Sequence, residues 1–259
     1  MENKKQKVLS EIFQICKKRN NLVFDNELVK IISKKYSFGN PFDATKINSS
    51  DKLPDVLKEE DYFIVHIGKG KHKFVKGIKK GFHAFEKIAK DKIFDWKYRK
   101  SILNEFDTSE SNILSVANNQ RIIHDFLYED IVDSPKVYNA RRTKINISYC
   151  LGKEKIKAYN VQMEIDFTME LQGIITVFEA KNGFPQDFAI YQLFHPFKYY
   201  SLLKKEKRLE VEMITCCYIL RKRDKRDSVI RLYNYTFDDE DEMNSIKLLK
   251  NAQYNLIKR

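Results

Sequence analysis

The sequence predicts an α/β fold in which helices flank a mixed sheet, with a smaller helical domain in front of it. Two observations support this class. Apolar residues at helical spacing open the chain, and the later part alternates between helical segments and apolar runs of strand length. No apolar stretch reaches the roughly 18 residues of a membrane span, and the N-terminus has no secretory h-region. We therefore expect a soluble, cytoplasmic protein that does not enter a membrane.

At 259 residues the chain is long enough for two domains, which we expect at residues 1–85 and 86–259. The first domain starts with a helix whose apolar positions are Val8, Leu9, Ile12, Phe13 and Cys16. Asp25 or Asn26 can cap a second helix. A polar segment over 43–58 precedes an apolar strand at 62–67, a glycine turn at 68–71 and a second strand near 73–75. Three helices followed by a hairpin are the order of a winged helix.

The net charge of +12 favours a polyanionic partner. Residues 1–80 carry 18 Lys and Arg against 10 Asp and Glu, a net charge of +8, so the N-terminal third is the expected docking surface. The third helix would enter the DNA major groove while the hairpin contacts phosphates. The candidate DNA-binding residues are Lys46, Lys69, Lys71 and Lys73. The alternative is a solvated hairpin with no nucleic-acid role.

In the second domain we expect a connecting helix over 82–108 and a helix that starts at Thr108 or Ser109. Strands at 145–151, 158–168 and 174–180, a helix at 188–203 and a strand at 212–220 complete an αβββαβ order. Residues 230–237 are expected to add an edge strand. The acidic run at 238–242 is expected to begin a final helix.

The candidate chemistry lies in two of these strands. Asp166 is in one strand, and Glu179 and Lys181 are two residues apart in the next, so their side chains share a face. A hairpin of the two strands would bring Asp166 opposite this pair. Two carboxylates can hold Mg²⁺, which activates water for phosphodiester hydrolysis, and Lys181 would orient that water and offset transition-state charge. Glu164, two residues before Asp166, is the alternative first carboxylate.

The spacing of Asp166 and Glu179-Ala-Lys181 resembles the D-x(n)-ExK signature of the PD-(D/E)XK nuclease superfamily. Ile165 stands where the nominal motif has proline. The resemblance covers about residues 105–236 and is nearest to type II restriction endonucleases. It implies a restriction-endonuclease-like core with an N-terminal winged-helix-like domain. It also implies that Glu110 is a further metal-site candidate and that Gln192 is a weaker active-site or DNA contact.

The expected function is therefore a type II restriction endonuclease that cleaves double-stranded DNA with Mg²⁺ and acts as a homodimer on a symmetric site. Neither a GxxxxGK[ST] nor a GxGxxG motif is present, so we expect no nucleotide cofactor. One alternative is a winged-helix regulator without catalytic activity. Another is a repair or junction nuclease of the same superfamily.

Overall fold

The computed structural model describes residues 2–98, 101–102, 109–129, 134–223 and 228–258. The mixed α/β class is confirmed. None of the helices in these ranges is long and apolar enough to cross a bilayer. The N-terminal elements are α1 (Lys4–Lys18), β1 (Val23–Asp25), α2 (Asn26–Lys35), α3 (Pro41–Ala44), α4 (Asp55–Glu59), β2 (Tyr62–Gly68) and β3 (Lys71–Lys76).

The first two helices form where the sequence predicts them. Asn3 and Gln6 form a capping box at the start of α1, and the five apolar positions predicted for this helix are buried. Asp25 caps α2 by accepting a hydrogen bond from the backbone N–H of Leu28 at 3.0 Å. Ile31 is 65% exposed and does not join the core.

The segment expected to form the recognition helix, residues 43–58, is divided into the end of α3, a 3₁₀ turn at Ser50–Lys52 and α4. Helix α4 has only five residues, and its side chains Asp55 and Glu59 are exposed and acidic. Carboxylates on this surface would repel DNA phosphates. The hairpin follows helices as predicted, but in residues 2–76 four helices and β1 precede it instead of three helices, and α4 is poorly suited to enter a major groove.

Four elements lead into the second part of the chain: β4 (Phe82–Ala84), β5 (Ile93–Tyr98), α5 (Glu110–Asn119) and α6 (Ile122–Tyr128). The remaining elements are β6 (Lys136–Tyr138), β7 (Arg141–Leu151), β8 (Glu154–Ile165), β9 (Phe167–Leu171), β10 (Ile174–Asn182), β11 (Asp187–Ala189), α7 (Tyr191–Lys205), β12 (Met213–Arg223), β13 (Ser228–Phe237) and β14 (Ile246–Lys258).

Two large sheets position the site. One has seven strands in the order β5-β14-β13-β12-β10-β9-β6, and β10 and β12 are parallel at its centre. The other has five strands in the order β1-β3-β2-β8-β7, so β8 extends the N-terminal hairpin through the pairing of Gly68 with Tyr159. Buried side chains of both predicted domains, including Phe74 and Tyr218, belong to one hydrophobic cluster.

Three expectations about the second part of the chain are wrong. Residues 82–98 form β4 and β5 instead of a helix, and residues 103–108 with Thr108 lie outside the described ranges. Strand β13 is interior because β14 pairs with its outer side. The final helix is absent from the described residues 246–258, where alternate side chains of Ala252, Tyr254 and Leu256 are buried as in a strand.

The predicted strand at 158–168 is also divided. It ends as β8 at Ile165, bends at Asp166 and resumes as β9 at Phe167. The two pieces belong to different sheets. Asp166 therefore lies at the corner where the chain passes from one sheet to the other.

Gly81 is a place where packing restricts the sequence. A methyl group at this position would overlap the ring of Phe63, which is 2% exposed. We expect Gly81→Ala to lower the free energy of unfolding by about 1–3 kcal/mol in chemical denaturation. Gly39→Ala is the matched control because no atom lies within 4 Å of the added methyl, and it should leave stability nearly unchanged. Equal stabilities for the two variants would contradict this packing argument.

Candidate active site

Asp166 and Glu179 lie opposite one another on neighbouring segments. The antiparallel register of β9 and β10 ends at the pair of Phe167 with Phe178, and Asp166, at the bend before this pair, lies close enough to Glu179 to raise its pKa. The Asp166 carboxylate also accepts a hydrogen bond from the backbone N–H of Ala180 at 3.4 Å. The corner between the sheets thus orients the first carboxylate toward the second.

Lys181 lies between two acidic side chains. Its Nζ is 2.7 Å from Oε1 of Glu179 and 2.8 Å from Oε2 of Glu110. Strand alternation puts Glu179 and Lys181 on one face, whereas Ala180 packs into the hydrophobic cluster on the other. Glu110 is the first residue of α5, whose N-cap is Ser109. The structure therefore brings the acid implied by the family resemblance to the predicted lysine.

Gln192 fixes the orientation of Glu179. Its Nε2 donates a hydrogen bond to Oε1 of Glu179 at 2.8 Å, and its Oε1 accepts one from the Tyr218 hydroxyl at 3.4 Å. Gln192 is in the first turn of α7, and Tyr218 is beside Glu179 on β12. The Tyr218 hydroxyl therefore orients the Gln192 amide, and this amide in turn holds Oε1 of Glu179 in place.

Burial controls the acid–base properties of these groups. Burial raises the pKa of Glu179 to about 7, with Lys181 opposing the change and Asp166 adding to it. Burial also raises the pKa of Asp166, again against the effect of Lys181. Burial acts to lower the pKa of Lys181, but Glu179 and Glu110 outweigh it and raise that pKa above its ordinary value. The lysine is therefore charged at neutral pH.

Glu164 has different partners from Asp166. Its Oε1 accepts a hydrogen bond from Gln162 at 2.8 Å and lies 3.4 Å from Nε of Arg142. Its side chain is 41% exposed on β8. Of the two carboxylates, Asp166 is thus the one whose charge acts on Glu179.

A groove of about 650 Å³ runs between the N-terminal hairpin and α7, and Glu179 and Lys181 lie in its wall. Lys46, Lys69 and Lys71 also line it. The Lys69 ammonium is 6.0 Å from the centre of the Tyr159 ring. Lys73 does not line the groove, and its ammonium forms an ion pair with Glu154. Three of the four predicted DNA-binding lysines therefore share a surface with the candidate active site.

The groove also contains residues that the sequence did not single out. Tyr191, Lys144 and Phe42 line it. So do His66 and His72, whose Nδ1 atoms are 2.9 Å apart. Burial lowers the pKa of His66 to about 4 and that of His72 to about 3, so both rings are neutral near pH 7. These residues come from separate elements, and the chain carries no spacing motif that would link them.

The fold and the site define a mixed α/β protein in which two carboxylates, a lysine and a glutamine meet at one end of a sheet. Residues 77–255 match the family model described as "Domain of unknown function (DUF6997)", and residues 5–74 match "Domain of unknown function (DUF6996)". Because the first match covers more than half of the chain, the chain belongs to the DUF6997 family. Comparisons with curated proteins and with solved structures found no match. The domain boundary at residue 85 stays a prediction.

The raised pKa of Glu179 can be measured directly. In protein without divalent metal, carboxyl ¹³C NMR should find Glu179 titrating near pH 7. Lys181→Met should move this pKa higher, because the ammonium favours the ionised carboxylate. Lys205→Met is the matched control, since Lys205 pairs with Glu240 at the surface. A Glu179 pKa near 4.5, or one that does not respond to Lys181→Met, would show that this part of the site is described incorrectly.

Proposed function

We propose that this protein is a Mg²⁺-dependent DNA endonuclease of the PD-(D/E)XK type. The observation that carries the proposal is the convergence of Asp166, Glu179 and Lys181, the last two of which lie together with Glu164 in the wall of a lysine-lined groove. Two carboxylates and an ammonium at one point suit phosphodiester hydrolysis, which needs a bound cation and a group that stabilises negative charge. The groove gives the substrate access to them.

The donor set fits Mg²⁺. Within the ranges that the structure describes, no group of three or more His, Cys, Asp and Glu side chains is arranged to hold one metal ion. Mg²⁺ does not require such a group, since it is usually held by one or two carboxylates together with water and substrate phosphates. Asp166 and Glu179 would supply these carboxylates. A bound Mg²⁺ would polarise the phosphoryl group and lower the pKa of a coordinated water.

The other side chains have separate roles in this proposal. Lys181 remains protonated, so it donates hydrogen bonds to the attacking water or to the phosphate and offsets the charge that develops there. Glu110 holds the ammonium from the side of α5. Gln192 keeps the Glu179 carboxylate in one orientation. A preoriented site of this kind lowers the reorganisation that the reaction requires.

The substrate class follows from the same surface. We propose duplex DNA with a short specific sequence, as for a type II restriction endonuclease, and a homodimer where that sequence is palindromic. A non-catalytic winged-helix regulator is less well supported, because α4 is short and exposes Asp55 and Glu59. A repair or junction nuclease would use the same site on a different DNA structure.

Cleavage tests the catalytic assignment. Purified protein with Mg²⁺ should cut phage DNA into discrete fragments whose ends can be mapped. Asp166→Asn, Glu179→Gln and Lys181→Met should each reduce the cleavage rate about 100-fold or more. Glu170→Gln on β9 is the matched control and should cleave normally, since Glu170 pairs with Lys136.

Glu164→Gln distinguishes the two candidates for the first carboxylate. Loss of cleavage in this variant with full activity in Asp166→Asn would transfer the role to Glu164. Full cleavage in all three active-site variants, or none by the unsubstituted protein with Mg²⁺ or Mn²⁺, would overturn the proposal.

The lysines should contribute unequally to DNA affinity. Lys71→Gln should weaken binding and reduce the slope of log affinity against log salt concentration by about 1, as expected for one lost phosphate contact. Lys73→Gln should change the slope less, because Glu154 already neutralises this ammonium. Fluorescence anisotropy at several salt concentrations measures both slopes. An equal or larger effect for Lys73 would indicate that DNA binds outside the groove.

A further inference from the structure

The groove beside the candidate active site has the size of a site for one small ligand. Its volume of about 650 Å³ lies within the roughly 300–1,000 Å³ of pockets that enclose small molecules. A space of this size can hold a single nucleotide while the rest of the nucleic acid lies across its opening.

Phe42 offers an aromatic surface in this groove. It is in α3, and its side chain is 59% exposed although it is large and apolar. Exposed single hydrophobic residues are common, but this one shares its groove with Glu179 and Lys181. An exposed ring is a platform on which a base of any identity can stack.

Amide side chains in the groove can bind the edge of a base. Asn48 is half-buried, and its amide makes no hydrogen bond within the described part of the chain. Gln162 is exposed on β8 and lines the same groove. An amide carries both a donor and an acceptor, which matches the polar edge of a nucleobase.

Positive charge surrounds the same space. Lys46, in the loop after α3, and Lys144, on β7, are exposed, and Lys69 and Lys71 belong to the turn and strand of the hairpin. Lysines on several sides of a pocket can bind the phosphates before and after one nucleotide. The charge therefore favours a nucleic acid over an uncharged small molecule.

We infer that this groove holds one unpaired nucleobase of the substrate, with its face on Phe42 and its edge toward Asn48. The inference rests on the proposed nuclease function and adds that the nucleotide near the cleaved phosphate is unstacked. Such a base is available in a single strand, or it is extruded from a duplex at the cost of unstacking.

Photo-crosslinking tests this inference without knowledge of the recognition sequence. Random-sequence DNA with 5-iodouracil in place of thymine is mixed with full-length Asp166→Asn protein, irradiated and digested, and the modified residues are mapped by mass spectrometry. We expect crosslinks at Phe42 or Tyr191. Crosslinks from single strands alone identify a single-stranded substrate, whereas crosslinks from duplex as well identify an extruded base.

Affinity provides a second measurement. Phe42→Ala should weaken DNA binding about tenfold, and Phe94→Ala, which changes a 39% exposed ring on β5, should leave it unchanged. If the protein binds and cleaves DNA but forms crosslinks only outside the groove, this inference is overturned and the nuclease proposal stays intact. Absence of both DNA binding and cleavage in the unsubstituted protein would overturn the two together.

Discussion

The ion pair between Glu179 and Lys181 is the interaction on which the rest of the site depends. Each charge is largely buried, and burial of either one alone would cost several kcal/mol. The pair is stabilised because Glu110 and the carbonyl of Ala180 also accept hydrogen bonds from the ammonium, and Gln192 donates one to Oε1 of Glu179. Helices α5 and α7 are thereby joined to the end of β10, and the direction of each catalytic candidate is set by the others.

Much of this arrangement could be predicted from the sequence. Period-two alternation is a local property of β10, so it identified Glu179 and Lys181 as neighbours on one face. Helix caps are also local, and Ser109 and Asp25 cap α5 and α2 as expected. The approach of Glu110 to Lys181 was suggested by the family resemblance, because these residues are far apart in the chain.

The errors share a physical origin, which is that strand pairing decides what local patterns leave open. Residues 93–98 are aromatic and charged, and they become β5 because β14 provides a parallel partner. The corner at Asp166 depends on which sheet each half of the segment joins. The ion pair of Lys73 with Glu154 requires contact between residues 81 positions apart. Such contacts are absent from any local window of sequence.

The continuity of β8 links the two parts of the molecule mechanically. Tyr159, in the middle of this strand, pairs with Gly68 of the hairpin, and the C-terminal end of the strand leads directly into Asp166. Beyond the positive φ of Asn160, residues 161–166 span about 17 Å of extended backbone. Displacement of the hairpin by a bound partner would therefore also act on the strand that positions the Asp166 carboxylate.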